Sequence, residues 1–399
     1  MALNAWQKIT RVLPGKPFGD GSDGALTISA SATQSVVDET CTGTATETAL
    51  TAGGSSLTNG DVILIHQTNG TGAGQWEINK VASGGGSVNL VMSQVLKYSY
   101  ATGAQVVKIP LYEDVTINAS QIWSGVSWSA ATLLGGILLF ACNGTLTVSG
   151  TLNVKGNNGS HQSLTGYTGF TNGIGHRGGA SIVGSGTPTA YQGAGTSGVG
   201  SASGDANGTG GGGGHESDSG FGSGGGGGHA AVGEAGSEGN GGTGGTVGGN
   251  AGLTNMVFGG GGGGTARADA NPDDVGIGGA GGGTIFIFAK TITAPNLMTA
   301  AGGNGGVGRD DRSDAASGAG GSILLCGGII NIGTNKLTTI PGTVNSGYPG
   351  VGSKGRIAVY YGTSLAGSLS STYYGTYTSA QDTDLVQTTD GGAFLLNFI

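Results

Sequence analysis

Gly259-Gly260-Gly261-Gly262-Gly263-Gly264 is the longest of three pure glycine runs, the others being 210–214 and 224–228, in a chain of 399 residues with 91 glycines. Between Lys155 and Thr284 apolar side chains are so sparse that hydrocarbon burial cannot offset chain entropy, and glycine loses more freedom on ordering than any other residue. This region is therefore either disordered or held by backbone hydrogen bonds. A flexible linker is normally a Gly/Ser repeat with nothing to dock. Here the tracts are broken by inserts bearing aromatic and charged residues, 215–221 and 266–275, and Gly-Gly-Gly-Gly-Gly-His occurs twice, ending at His215 and His229. The ordered alternative is a bundle of polyglycine-II helices with three residues per turn, packed so closely that interior positions demand glycine.

Working outward, the flanks favour order. Gly135-Gly136-Ile137-Leu138-Leu139-Phe140 precedes the region and leads into Leu146, Val148, Leu152 and Val154 on one face of a period-two pattern, with Thr145, Thr147, Asn153 and Lys155 on the other. After the region the phrase returns as Gly282-Gly283-Thr284-Ile285-Phe286-Ile287-Phe288, then as Gly320-Gly321-Ser322-Ile323-Leu324-Leu325, and in degenerate form as Lys354-Gly355-Arg356-Ile357-Ala358-Val359. Aligning Gly136, Gly283, Gly321 and Gly355 gives stacked rungs or paired hairpins. The fold class expected is mainly β: an antiparallel or solenoid-like β scaffold into which a glycine-rich polyglycine-II lattice is inserted.

The domain reading is fivefold. Residues 1–25 form an N-terminal attachment arm with an apolar stripe that includes Trp6, Ile9 and Val12; residues 26–115 form a small β domain with tight turns at Asn69-Gly70 and 84–86. Residues 116–155 and 282–370 form the β repeat scaffold, 156–281 the glycine-rich domain with exposed loops, and 371–399 a C-terminal β tail. The charge balance is 15 Lys and Arg against 23 Asp and Glu, net −8, with no basic stripe, which argues against nucleic-acid binding. The longest apolar run, 133–142, is too short to span a bilayer, so no membrane insertion is expected. No signal-peptide h-region follows Lys8 and Arg11, so folding in a cytosol is expected. Cys41, Cys142 and Cys326 read as buried thiols, a Cys142–Cys326 bridge being the alternative.

Catalytic constellations are thin, and the chain reads as a non-enzyme with no cofactor. His215 and His229 invite a metal reading, but no Cys or carboxylate stands at zinc-like spacing. The Gly19-Asp20-Gly21-Ser22-Asp23-Gly24 turn lacks the later acidic ligands of a calcium loop. Gly200-Ser201-Ala202-Ser203-Gly204 has no strand-turn-helix setting for a nucleophile. What remains is recognition by loops on a rigid support. Aromatic and arginine residues anchor binding surfaces, and the receptor-binding candidates are Tyr167, Phe170, His176, Arg177, Tyr191, His215, Phe221, Arg267, Arg309 and Arg312.

Glycine tracts separated by aromatic- and charge-bearing loops, bounded by strand phrases, resemble the glycine-rich tail-fibre tip adhesins of tailed bacteriophages over roughly residues 156–306. The resemblance implies a virion protein that attaches to other virion proteins by its N-terminus and recognises a host cell-surface protein or glycan through the loops. It further implies a homo-oligomer, a trimer by analogy with fibres, folded in the host cytoplasm and extracellular after release. The chain departs from the compact tip adhesins in its large β N-terminal part. The alternative is a structural virion decoration or surface-filament subunit whose glycine lattice mediates assembly.

Overall fold

The computed structural model describes residues 13, 15–162, 166–167, 169–184, 186–216, 220–268, 275–309 and 311–385. Two stacked sheets form the scaffold. In the larger, the strands Leu26–Ile28, Val115–Ile117, Ile137–Val148, Thr284–Thr293, Ser322–Thr334, Arg356–Ser368 and Thr376–Gln381 lie side by side in chain order, with Leu111–Tyr112 also pairing against Ile137–Val148. In the smaller, Ala32–Thr33, Ile122–Ser124, Thr151–Asn153, Met298–Thr299 and Leu337–Thr338 follow the same order. Each short strand comes directly after a strand of the larger sheet, so five strand-turn-strand units stack on one another.

Every pair in these two sheets is parallel. That corrects the antiparallel option: the units are joined by long crossovers rather than hairpins, and parallel neighbours require such connections. The repeated glycine phrases stand in register, since Ile137 pairs with Thr284, Thr284 with Ser322 and Ser322 with Arg356. Both faces of the larger sheet are buried, which accounts for the unbroken apolar runs. Leu138, Phe140, Ile285, Ile287, Ile323, Leu325, Ile357 and Val359 face the smaller sheet. Leu139, Phe286, Phe288, Leu324 and Ala358 face the other way, against Val62, Leu64, Trp76, Leu253, Met256 and Phe258.

Those covering residues belong to two insertions. The first, between the first and second scaffold units, is a closed six-stranded barrel running from Asp38–Gly43 to Ala104–Lys108, with Ile63, Ile65, Leu90, Met92 and Val106 in its own core. The small β domain is thus narrower than 26–115, because the strands at both ends of that range belong to the scaffold. Val62–Gln67 is buried throughout because alternate residues serve the barrel core and the scaffold. Of the proposed attachment arm, Trp6, Ile9 and Val12 lie outside the described residues, while Leu13 and Phe18 are buried in the core shared with the barrel. Cys142 and Cys326 are free and buried on opposite faces of the larger sheet, so the bridge does not form.

The second insertion is the glycine region, and its order comes from the backbone. Successive amides of 259–264 donate to three neighbours in rotation: Gly259 and Gly262 to Gly282 and Gly279, Gly260 and Gly263 to Gly228 and Gly225, Gly261 and Gly264 to Ala194 and Tyr191. The carbonyls of the same run accept from three further segments, from Ala319 and Ala316, from Gly211 and Gly214, and from Gly179. A strand, with period two, addresses neighbours in a single plane. A period of three addresses neighbours all round. The rotation recurs elsewhere: Ile277, Ala280 and Gly283 donate to Ser160, Asn157 and Val154, while Ala315 and Gly318 donate to Gly306 and Gly303, and Ser317 and Gly320 to Gly350 and Ser353. The network therefore continues past residue 281 into 300–306, 315–320 and 350–353, beyond the boundary expected from sequence.

Close approach explains why these positions are glycine. A Cβ on Gly212 would press on the carbonyl oxygen of Gly204, and one on Gly261 on that of Arg177. Most amides of the runs 210–214, 224–228 and 259–264 find a backbone acceptor without a side chain's help, which meets the requirement that burial of backbone imposes.

Candidate functional site

Segments of the glycine region have two kinds of end. At one, Val154, Gly283, Gly321 and Gly355 lead into or out of scaffold strands, and the turns 195–209 and 247–258 meet the barrel: Trp76 Nε1 donates to the Leu253 carbonyl at 2.9 Å, Gly70 to Thr196 at 2.8 Å, and His66 Nε2 lies 2.8 Å from the Met256 oxygen. At the other lie, among the described residues, 161–162, 166–167, 169–170, 186–189, 215–216, 220–222, 236–241, 265–268, 275–276, 307–309 and 311–314. Short strands tie these turns together. Ile182–Val183 lies between Gly166–Tyr167 and Ala266–Arg267, which in turn pairs with Phe221–Gly222, and His161–Gln162 pairs with Val275–Gly276.

Most of the side chains singled out from sequence collect into two groups. Arg177 stacks on Phe170 with its guanidinium carbon 3.4 Å from the ring centroid, Tyr191 meets the same ring edge-on at 5.5 Å, and Arg177 Nη2 donates to the Val199 carbonyl at 3.0 Å. All three are part-exposed. On the far turns, Arg267 lies 5.0 Å from the Phe221 ring, the 3-10 turn Asp311–Ser313 sits beside Phe221–Gly222, and exposed Arg312 reaches Glu238 at 3.6 Å. Arg309 is exposed on the same turn. His215 is half-buried, with Nδ1 2.6 Å from Thr189 Oγ1. The backbone of Tyr167 pairs with that of Ile182.

His176 is a correction. It is fully buried between Trp128, at 5.1 Å edge-on, and Phe258, at 5.3 Å, so it cannot touch a receptor in this state. Burial pushes its imidazole down to about 3, with the neighbouring His66 adding to the shift and the Gly259 backbone opposing it. His229, at the end of the second Gly-Gly-Gly-Gly-Gly-His tract, is likewise buried and held at about 3 by desolvation and by Arg356. Its Nε2 lies 3.0 Å from Ser322 Oγ and 3.1 Å from the Val257 oxygen. The duplicated phrase therefore has two different fates. Arg267 is also mostly buried, so its contribution to a surface is the edge it shares with Phe221.

Sequence reasoning did not find the partners Thr189, Glu238 and Trp128, whose ordinary residue types carry no signal of their own. Among the described residues no group of three His, Cys, Asp or Glu side chains is placed to hold a metal ion. No helix of the described residues is long and apolar enough to cross a membrane. No protein-family model, curated protein or solved structure matches the chain.

Proposed function

We propose that this chain is a non-enzymatic phage virion fibre or adhesin whose glycine region is a polyglycine-II lattice, inserted in a solenoid-like scaffold, and whose far turns recognise a host cell-surface protein or glycan. One observation carries the reading: the three-residue rotation of hydrogen bonds around 259–264 to six neighbouring segments. Such an array is stiff without side chains. Its chemistry is displaced to the turns, where arginine and aromatic residues gather in the combinations that anchor binding surfaces. In this reading the loop groups around Phe170 and Phe221 are the contact surface, and the protein acts in the virion.

The test is saturable binding of the purified, oligomer-checked protein to intact bacterial cells of a broad strain panel. Deleting 156–281 is a poor control, because it also removes Leu253, Met256 and Phe258 from the core. Arg312→Ala with Arg309→Ala, both on the exposed turn, is the cleaner comparison. Binding lost in a folded double variant supports the reading, and no binding to any strain counts against it.

A second reading has its own observation. The strands Leu26–Ile28 and Thr376–Gln381 stand at opposite edges of the larger sheet, each paired on one side among the described residues. Parallel edges of this kind invite further strands, so a decoration or filament subunit built by self-association is the alternative. Sedimentation across a concentration series separates it from a closed trimer.

A further inference from the structure

Where the smaller sheet meets the glycine region there is an open cleft of about 350 Å³ whose lining includes Thr33, Ser124, Ser127, Asn153, Lys155 and Asn157. Three of its polar residues come from one row of the sheet, since Thr33 pairs with Ser124 and Ser124 with Asn153. Adjacent strands lie about 4.8 Å apart, so the row offers hydroxyl and amide groups at regular steps. Gly125, also in the lining, packs tightly on the core, since a Cβ there would fall 3.2 Å from Val154 and 3.3 Å from Ile174.

The electrostatics are one-sided. None of the lining residues is acidic, and Lys155 makes no ion pair among the described residues, in a chain whose net charge is −8. Asn153 Nδ2 donates to Ser124 Oγ at 3.3 Å, which fixes the middle of the row, while the side chains of Thr33, Ser127 and Asn157 make no hydrogen bond within the protein among the described residues. Nearby, Ile122, at the start of the strand that carries Ser124, and Val126, two residues beyond its end, are each 43% exposed. Hydroxyl and amide groups and one unpaired cation, with exposed apolar side chains close by, together match a ligand with many hydroxyls, an anionic group and a C–H face.

We infer that this cleft is a binding site for a carboxylate-bearing saccharide, with Lys155 on the carboxylate and the Thr33–Ser124–Asn153 row on the hydroxyls. The site lies on the scaffold, apart from the far turns, and does not depend on what those turns recognise. Uronic and sialic acids share the required chemistry.

The experiment is titration calorimetry of the full chain with trigalacturonate, with 3′-sialyllactose, and with neutral maltotriose. Saturable binding of one or both acidic sugars, weakened about tenfold by Lys155→Met, restored by Lys155→Arg and reduced at raised salt, is the expected result. Ser127→Trp, which fills the cleft from its exposed rim without touching the cation, should abolish binding too. Equal binding of maltotriose, indifference to both Lys155→Met and Ser127→Trp, or no binding of either acidic sugar would overturn the inference. Arg312→Ala should leave these titrations unchanged while the cell-binding assay reports on the turns.

Discussion

The scaffold and the glycine region solve the same problem with opposite materials. In the scaffold, stacked apolar side chains such as Phe140, Ile287 and Leu325 supply the burial, and the backbone ladder follows. In the glycine region the backbone supplies most of the order: the glycine runs satisfy their amides on neighbouring backbone, at approaches so close that many positions have no room for a Cβ. The difference teaches where each part tolerates change. Side-chain packing degrades in steps, because one lost methylene leaves a small cavity. A network of close carbonyl contacts has no smaller step than a methyl group.

The comparison is broken most sharply by Gly261→Val. Its side chain has nowhere to go but the Arg177 carbonyl, and we expect loss of the ordered glycine region, with destabilisation above about 4 kcal/mol; limited proteolysis reads this directly, and undiminished resistance would remove the close-packing argument. Phe286→Ala, in the core between scaffold and barrel, should cost about 3–5 kcal/mol, whereas Ile287→Val should cost only about 1 kcal/mol. Chemical denaturation of the pair measures whether the scaffold is graded as argued.

Acid titrates the buried groups with a definite sign. His176 and His229, held at about 3, stay neutral in the fold while the unfolded chain protonates them below about pH 6.5, so they cost stability as pH falls through that window. Asp38, pushed up to about 7 by burial, keeps a proton that the unfolded chain releases above about pH 4, and so acts in the opposite direction. Two groups against one leave about one proton taken up on unfolding. These three groups therefore lower stability by about 1.4 kcal/mol per pH unit between about pH 6 and pH 4. Melting temperature against pH checks the slope, and Asp38→Asn should roughly double it.

The smallest effects sharpen the same contrast at the surface. Arg312→Ala removes an exposed ion pair to Glu238 and should change stability by less than about 1 kcal/mol. At Gly184, a Cβ meets nothing within 4 Å, and Gly184→Ala should fall within about 0.5 kcal/mol of the parent in thermal melts. A glycine outside the hydrogen-bonded rotation is then an ordinary glycine.

The sequence made the β-rich character, the insertion of the glycine region and the register of Gly136, Gly283, Gly321 and Gly355 legible, because side-chain alternation and repeated phrases encode them. The parallel sense was not, since a strand phrase such as Thr284–Phe288 reads alike in either direction. Nor was the limit of the glycine network, because residues such as Ala316 and Ala319 join it through backbone atoms that composition does not reveal. The candidate site was half legible. Phe170, Arg177 and Tyr191 do meet, but nothing in the two Gly-Gly-Gly-Gly-Gly-His tracts tells that His215 ends in a turn while His229 lies in the core; that depends on which segments pack around each one.

The pairing of Ile137–Val148 with Thr284–Thr293 spans the entire glycine region. A ribosome-bound chain that has finished the first of these strands must wait for the whole intervening tract before its partner emerges. Loop closure over such a distance precedes any reward from the contact, which is the recipe for slow folding. Meanwhile the strand 137–148, rich in Ile, Leu and Phe, stands with an open edge. Production of this protein should therefore be limited by its rate of folding and by aggregation of half-made chains more than by the stability of the finished one.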